Sequence, residues 1–144
     1  MQFIVHTDGG ARGNPGPAAV GAVIQRTEDR GQRTETKTIA EISKRIGETT
    51  NNVAEYTAVV EALEYIKSQG DQTKTEIQFF LDSMLVVNQL NGLFKVKDVK
   101  LRELLAHIWI LEQEVGGVVH YTSIPREHNR RADFLVNKAL DNNS

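Results

Sequence analysis

Four acidic residues, Asp8, Glu55, Asp82 and Asp133, stand beside the ends of predicted strands and helices, where their carboxylates could act together. Asp8 and Asp82 directly follow runs rich in apolar, β-branched and aromatic residues, and Glu55 and Asp133 lie near the starts of two amphipathic segments. Carboxylates grouped in this way can bind hard divalent cations such as Mg²⁺ or Mn²⁺. Paired ions of that kind can drive the hydrolysis of a phosphodiester bond.

Each acid also has an ordinary structural interpretation. Asp8 opens a glycine-rich turn, where aspartate is common. Glu55 follows Asn52 by three residues and could complete a capping box. Asp82 stands between a strand and a helix, a usual N-cap position, and Asp133 falls in a first helical turn, where the dipole favours an acid. Taken singly, none of the four requires a catalytic role.

The hydrophobic periodicity predicts one α/β domain over residues 1–144, with elements in the order βββαβααβα. Asn51 or Asn52 is expected to cap the first helix, Gly70 to end it, and Asn129 to cap the last. The first three strands are expected to form an antiparallel meander with the third at an edge, within a five-stranded mixed sheet flanked by helices. The predicted strands are 2–8, 18–26, 34–43, 75–82 and 118–125, and the predicted helices are 51–70, 83–92, 99–117 and 129–141.

The helix between the third and fourth strands implies that the fourth strand joins the sheet at a new place. If that strand is parallel to the first, Asp8 and Asp82 meet at its carboxyl edge, where ligands bind in open α/β sheets. Four carboxylates gathered there would repel one another unless cations lay between them. This arrangement favours a site for two Mg²⁺ ions, with Mn²⁺ as a substitute.

Composition excludes several classes of protein. The chain has 144 residues, 40% of them hydrophobic, and no cysteine, which rules out disulfides, thiolate metal sites and a cysteine nucleophile. No apolar run approaches the roughly 20 residues of a membrane helix, and the start of the chain lacks a leader pattern, so a cytoplasmic location without membrane contact is expected. The net charge of −2 excludes a uniformly basic nucleic-acid binder but permits clustered basic residues.

Four segments together resemble type 1 ribonuclease H: TDGGARGNPGPAAVGAVI, TTNNVAEYTAVVEALE, FFLDSMLVVNQLNG and HNRRADFLVNKAL. The order of elements is similar to that family's fold, and the resemblance covers essentially the whole chain. The first segment together with NN-x-x-E is the specific part of the match, whereas D-S and A-D alone would be weak.

The resemblance implies an endonuclease that hydrolyses the RNA strand of an RNA–DNA hybrid and leaves 5′-phosphate and 3′-hydroxyl ends. Its metal ligands would be the four acids, with Asp8 touching both ions and Glu55 near the RNA 2′-hydroxyl, the group that distinguishes RNA from DNA. Double-stranded RNA is a second candidate partner, and a monomer is expected. The implied substrate-binding residues are Gly9, Gly10, Arg12, Asn14, Thr50, Asn51 and Asn52.

The chain departs from the family in the loop before the last helix. Many members carry a catalytic histidine ten residues ahead of the last aspartate, and Ser123 occupies that position here. Arg126 is the stronger candidate to replace this histidine, because a fixed cation beside the scissile phosphate could stabilise the leaving group. His128 is a weaker candidate, since polar residues are common at the start of a helix.

A second departure concerns the basic helix that many bacterial members insert between the second and third helices. Here that region is compact, and Lys95, Lys97, Lys100 and Arg102 form either a small substitute patch for the nucleic acid or a solvated helix start. Met84 replaces a polar side chain that reads the minor groove of the hybrid in some members.

Three other functions compete with hybrid hydrolysis. A non-cleaving RNA- or hybrid-binding domain could use the same fold, although all four acids are present. A 3′–5′ exonuclease of the wider superfamily usually carries D-x-E on its first strand, whereas Asp8-Gly9-Gly10 lacks the second acid. A nucleotide-binding P-loop is disfavoured, because the glycine-rich stretch lacks G-K-[ST] and runs into a strand.

Overall fold

The computed structural model describes residues 2–142 and has the predicted order of elements. A short 3-10 helix, Arg126–His128, precedes the last α-helix and was not predicted. The strands are β1 (Gln2–Ala11), β2 (Gly16–Arg30), β3 (Arg33–Thr49), β4 (Glu76–Leu81) and β5 (Val118–Ser123), and the helices are α1 (Asn51–Ser68), α2 (Met84–Leu90), α3 (Val99–Val115) and α4 (Arg130–Asp141).

The five strands form one mixed sheet in the order β3-β2-β1-β4-β5. β1 pairs antiparallel with β2, and β2 pairs antiparallel with β3, which confirms the meander and the edge position of β3. β4 lies parallel to β1, and β5 lies parallel to β4, because α1 and α3 carry the chain back between strands. The carboxyl ends of β1 and β4 therefore share one edge, as predicted.

The main core lies between the sheet and helices α1, α2 and α3. Phe3 and Val5 of β1 alternate with outward-facing neighbours, and they pack in the same apolar cluster as Leu63 and Ile108. A smaller cluster, in which Ala19 meets three residues of α4, lies on the other face. The sheet thus has helices on both faces, and α4 alone covers the second face at the carboxyl edge of β1.

The first two strands run further than the apolar pattern indicated. β1 continues three residues beyond Asp8, and β2 and β3 pair along most of their length up to a tight turn between Arg30 and Arg33. β3 was predicted over 34–43 and continues to Thr49, and β2 was predicted to end at position 26 and continues to Arg30; most residues in the first half of β3 are exposed. Such a polar edge strand discourages pairing with other chains.

The helix caps correct three expectations. Thr50, rather than Asn51 or Asn52, caps α1, since its hydroxyl accepts a hydrogen bond from the backbone N–H of Val53 at 3.2 Å. Ser83 caps α2, so Asp82 is not an N-cap. Asn129 stands at the start of α4 but makes no side-chain capping bond. The side chains of Asp82 and Asn129 are therefore available for contacts other than capping.

Within residues 2–142, no helix has the length and apolar character needed to cross a bilayer.

Candidate active site

The two central parallel strands bring Asp8 and Asp82 together. His6 of β1 lies opposite Phe80 of β4, so the acids two residues further along stand side by side at the sheet edge. Asp8 is still within β1, whereas Asp82 follows β4 directly. One carboxylate oxygen from each of Asp8, Glu55 and Asp82 lies within 4.8 Å of the others.

Glu55 reaches this group because α1 is seated directly on β1 at Gly9. A Cβ on Gly9 would lie 2.2 Å from the backbone carbon and oxygen of Ala54 and 2.5 Å from the backbone nitrogen of Glu55. Any side chain at position 9 would therefore push α1, and Glu55 with it, away from the sheet. The close packing of α1 is therefore a sufficient reason for glycine at position 9, the residue that the family resemblance also assigned to substrate contact.

Asp133 is supplied by α4 and lines the same pocket as the three other acids, although it lies outside their close group. α4 approaches the sheet over Gly21, where a Cβ would lie only 2.3 Å from the carbonyl oxygen of Ala132. Asn137, one turn further along, donates its side-chain amide to the carbonyl oxygen of Asp133 at 3.1 Å. The side chain of Asp133, the fourth acid, is exposed to solvent at the rim of the pocket.

Burial and repulsion from neighbouring acids raise the pKa values of Asp8 and Glu55. Burial, with the nearby charges of Asp82, Asp133 and Glu55, raises the pKa of Asp8 to about 8, although a hydrogen bond from the backbone N–H of Gly9 opposes the shift. Burial and Asp82 raise the pKa of Glu55 to about 7, and the charge of Arg126 opposes that shift. At neutral pH the group therefore either binds protons or requires cations.

The donor set fits hard divalent cations. Three carboxylate oxygens within 4.8 Å supply the charge and ligand type that Mg²⁺ and Mn²⁺ prefer, and no cysteine is present to favour a softer metal. A cation between the acids would also remove the repulsion that raises the two pKa values. The three carboxylates therefore fit the divalent cations, Mg²⁺ or Mn²⁺, that were predicted from the sequence.

Asn129 is part of the site although the sequence indicated only a helix cap. It is 1% exposed, and its Nδ2 donates to the carbonyl oxygen of Thr7 at 2.9 Å and to Oδ2 of Asp82 at 3.4 Å. These bonds connect the start of α4 to β1 and to the acid after β4. The contact depends on the packing of α4 against the sheet, so local sequence could not predict it.

Two predicted substrate-binding asparagines join the loop after β1 to the start of α1. Asn51 Oδ1 accepts from the backbone N–H of Ala11 at 2.7 Å, and Asn14 Oδ1 accepts from the backbone N–H of Asn51 at 3.1 Å. A Cβ on Gly10 would lie at ordinary contact distances, 3.7 Å from Cγ1 of Val136 and 3.9 Å from Oδ1 of Asn51. Asn51 and Gly10 both line the carboxylate pocket, and Asn52 is half-buried at the start of α1.

Arg12 also lines the pocket, but its guanidinium is engaged with α4. Its Nη2 lies 2.6 Å from Oδ1 of Asp141 and 3.4 Å from Oδ1 of Asn137. The side chain therefore closes one wall of the pocket.

The structure separates the two candidates for the missing histidine. Arg126, in the 3-10 helix, lines the pocket with all four acids, and its charge acts on Glu55. His128 instead lines a different pocket, with His6, Glu41 and Arg131. The ranking of Arg126 above His128 for turnover stays a prediction.

The basic residues in the connection from α2 to α3 and in the first turn of α3 border a second surface. Lys95 and Arg102 line a groove together with Leu93, Phe94 and Trp109. Leu93 is 71% exposed and Phe94 is 50% exposed, so the groove combines cations with uncovered apolar side chains. The exposed Lys97 and Lys100 lie in the same segment.

Comparisons with known proteins agree with this geometry. Residues 6–139 match the family described as "Reverse transcriptase-like". LC11-RNase H1, isolated from compost by a metagenomic approach, is 47% identical with a TM-score of 0.85, over 97% of this chain and 96% of that one. The chain belongs to the type 1 ribonuclease H family. Ribonuclease HI of Halobacterium salinarum is 40% identical over 143 residues, which cover 93% of this chain and 62% of the relative.

Members of this ribonuclease H family also occur within longer proteins. The bifunctional protein of Mycobacterium tuberculosis is 37% identical over 141 residues, which are 98% of this chain but 36% of that protein. The chain thus spans about a third of the length of its mycobacterial relatives. LC11-RNase H1 has also been crystallised in complex with an RNA/DNA hybrid, in a structure 46% identical to this chain with a TM-score of 0.85.

Proposed function

We propose that this protein is an endoribonuclease that hydrolyses the RNA strand of RNA–DNA hybrids. The observation that carries the proposal is the meeting of Asp8, Glu55 and Asp82 within 4.8 Å, in a pocket that also contains Asp133. Membership of the ribonuclease H family and the hybrid complex of LC11-RNase H1 support the choice of substrate. The full set of acids disfavours a non-cleaving binding domain.

We further propose that the four acids hold two Mg²⁺ ions, which Mn²⁺ can replace. Asp8 would contact both ions, as the family resemblance implies, and its carboxylate lies within 4.8 Å of those of both Glu55 and Asp82. When bound, the ions supply an activated water and stabilise the leaving oxygen. Hydrolysis then breaks the bond between phosphorus and the 3′-oxygen, giving 5′-phosphate and 3′-hydroxyl ends.

The chain's own residues would position the RNA strand. Gly10 would present its backbone to the RNA without a side chain, and Asn14 and Asn51 hold the loop beside it. Glu55 would accept a hydrogen bond from the 2′-hydroxyl, which DNA lacks. Arg126 would lie beside the scissile phosphate and stabilise charge that develops on the leaving group.

We also propose an oligomeric state, a location, a second substrate and a lesser role for His128. The single domain acts as a monomer, and its location is the cytoplasm, a reducing compartment that the absence of cysteine suits. Double-stranded RNA is a weaker second substrate. His128 contributes less to turnover than Arg126, because it faces a different pocket.

A labelled-substrate panel with Mg²⁺ or Mn²⁺ tests the proposal. The substrates are an RNA–DNA hybrid, double-stranded RNA, single-stranded RNA and a duplex in which the RNA segment is flanked by DNA on both sides. Cleavage inside the flanked segment identifies an endonuclease, whereas an exonuclease would leave it intact.

The matched variants are Asp8→Asn and Asp29→Asn, the second in the exposed β2–β3 hairpin. Asp8→Asn should abolish turnover with folding intact, and Asp29→Asn should behave as wild type. Hybrid binding without cleavage by the wild-type protein would establish the binding-domain alternative instead.

A further inference from the structure

A buried hydrogen bond joins α1 to α2 next to the acids. The hydroxyl of Tyr56 donates to Oε1 of Gln89 at 2.6 Å. Tyr56 is fully buried and Gln89 is 8% exposed. Neither side chain is among those that line the carboxylate pocket, so a direct role in chemistry is not indicated.

The bond connects the two elements that carry repelling acids. Tyr56 directly follows Glu55 on α1, and Gln89 belongs to α2, which begins two residues after Asp82. The carboxylates of Glu55 and Asp82 lie within 4.8 Å of each other, and Asp82 contributes to the raised pKa of Glu55. Repulsion between these two carboxylates favours a larger separation of α1 from α2. A contact between the two helices must therefore oppose it.

The apolar contacts between these helices lack direction. Val86, Val87 and Leu90 of α2 share the main core cluster with Tyr56, and such packing tolerates small shifts of one helix along another. A buried hydrogen bond fixes both distance and angle, and losing one partner leaves the other without a bond in an apolar environment. The tyrosine–glutamine bond therefore determines how α2 is placed on α1.

We propose that the Tyr56–Gln89 hydrogen bond sets the separation of Glu55 and Asp82 and thereby the affinity of the carboxylate group for divalent cations. Both are positioning residues that act through the acids. The inference rests on the proposed function, since it assumes that these acids bind metal. In this proposal α2 contributes to metal binding through Gln89, in addition to being the helix that directly follows Asp82 in the sequence.

The test measures metal binding in the absence of nucleic acid. Mn²⁺ and Mg²⁺ are titrated by calorimetry into wild-type protein, Tyr56→Phe, Gln89→Met and the double variant, and the melting temperature of each is recorded without metal. Each single variant should weaken metal binding about threefold to tenfold, because partners outside the ligand set tune metal affinity. Each should also melt earlier, since one polar group is left unpaired.

The double variant separates positioning from stability. With both polar groups removed, the melting temperature should recover, whereas metal binding should stay weak because the directional bond is gone. Tyr121→Phe is the matched control: Tyr121 donates to Oε2 of Glu112 at 2.7 Å, away from the carboxylate pocket. That variant should lower the melting temperature and leave metal affinity unchanged.

Two results would overturn the inference. Wild-type metal affinity in Tyr56→Phe would show that the bond does not position the acids, as would recovery of affinity together with stability in the double variant. Failure of the wild-type protein to bind either ion would refute the proposed metal site itself, and this inference with it.

Discussion

The side-chain amide of Asn129 lies between the carbonyl of Thr7 and the carboxylate of Asp82. Its Nδ2 is 2.9 Å from the carbonyl oxygen of Thr7 and 3.4 Å from Oδ2 of Asp82. Because a carbonyl oxygen can only accept, Thr7 determines that the N–H end of the amide faces the acid. The carboxylate of Asp82 is thus oriented by a residue that belongs neither to β4 before it nor to α2 after it.

Replacing Asn129 by Asp should damage both folding and turnover. The substitution puts a carboxylate against an acceptor carbonyl and a second carboxylate in a buried place, at a cost of about 2–4 kcal/mol. The free energy of unfolding is measured by urea denaturation, and kcat is measured on the hybrid. Asn91→Asp is the control, because Asn91 also donates to a strand carbonyl, that of Tyr121, at 3.2 Å. Unchanged kcat in Asn129→Asp would exclude a part for Asn129 in orienting Asp82.

The raised pKa values of Asp8 and Glu55 predict how stability depends on pH without metal. Both groups titrate near pH 4 when unfolded, and at about 8 and about 7 when folded. Between those limits the native state binds more protons than the unfolded state, so these groups stabilise the fold at low pH and lose that contribution as pH rises to 8. Asp8→Asn should therefore be about 2 kcal/mol more stable than wild type at pH 8 and nearly equal at pH 4, as measured by urea denaturation at both pH values.

The same linkage predicts the effect of Mg²⁺ on the wild-type protein. Cations and protons compete for the carboxylates, so the rise in melting temperature caused by Mg²⁺ should be small at pH 5 and should grow towards pH 8. Thermal melts with Mg²⁺ and with a chelator provide the comparison. A rise that is independent of pH, or one retained by Asp8→Asn, would contradict binding at these acids.

The adjacent glycines at 9 and 10 should respond differently to alanine. In Gly9→Ala the new methyl group meets the backbone of Ala54 at 2.2 Å, and the loss of stability should be about 3 kcal/mol or more. In Gly10→Ala the methyl group has ordinary contact distances, so the melting temperature should be retained. If RNA approaches at Gly10, KM for the hybrid should rise in this variant, and an unchanged KM would place the RNA elsewhere.

Arg126 and His128 should differ in their effect on turnover. Arg126→Ala removes the cation that shares the pocket with the acids, and kcat should fall roughly tenfold to a hundredfold. His128→Ala alters a different pocket and should leave kcat close to wild type. Single-turnover rates on the hybrid would separate chemistry from product release. A drop in rate confined to the histidine variant would reverse the assignment.

The lysines before α3 and in its first turn should strengthen hybrid binding if they neutralise phosphates. Replacing Lys95, Lys97 and Lys100 by Gln should weaken binding equally for different sequences, and the slope of log K against log salt should fall by about one for each phosphate that is no longer neutralised. Lys37→Gln/Lys74→Gln alters exposed lysines elsewhere and serves as the control. An unchanged slope would identify the segment as a solvated helix start.

Periodicity and chain order were sufficient to predict the order of elements, whereas the parallel pairing of β1 with β4 entered only as a condition that the structure fulfils. The meeting of Asp8 with Asp82 followed, because both come at the carboxyl edges of apolar strands. The sequence did not predict the roles of Thr50 and Asn129. Thr50 and the two asparagines that follow it are all competent caps, and only the backbone angles decide among them. The hydrogen bond from Asn129 to Thr7 spans 122 positions and depends on packing alone.

The position of Asp133 on α4 has a consequence for synthesis of the chain. The other three acids have all been added by position 82, but the fourth comes from the last helix that the structure describes. α4 follows β5 and the 3-10 helix along the chain, so it is synthesised after both. During translation the complete set of acids therefore forms late, and a chain stopped before α4 would leave the ribosome without a finished site.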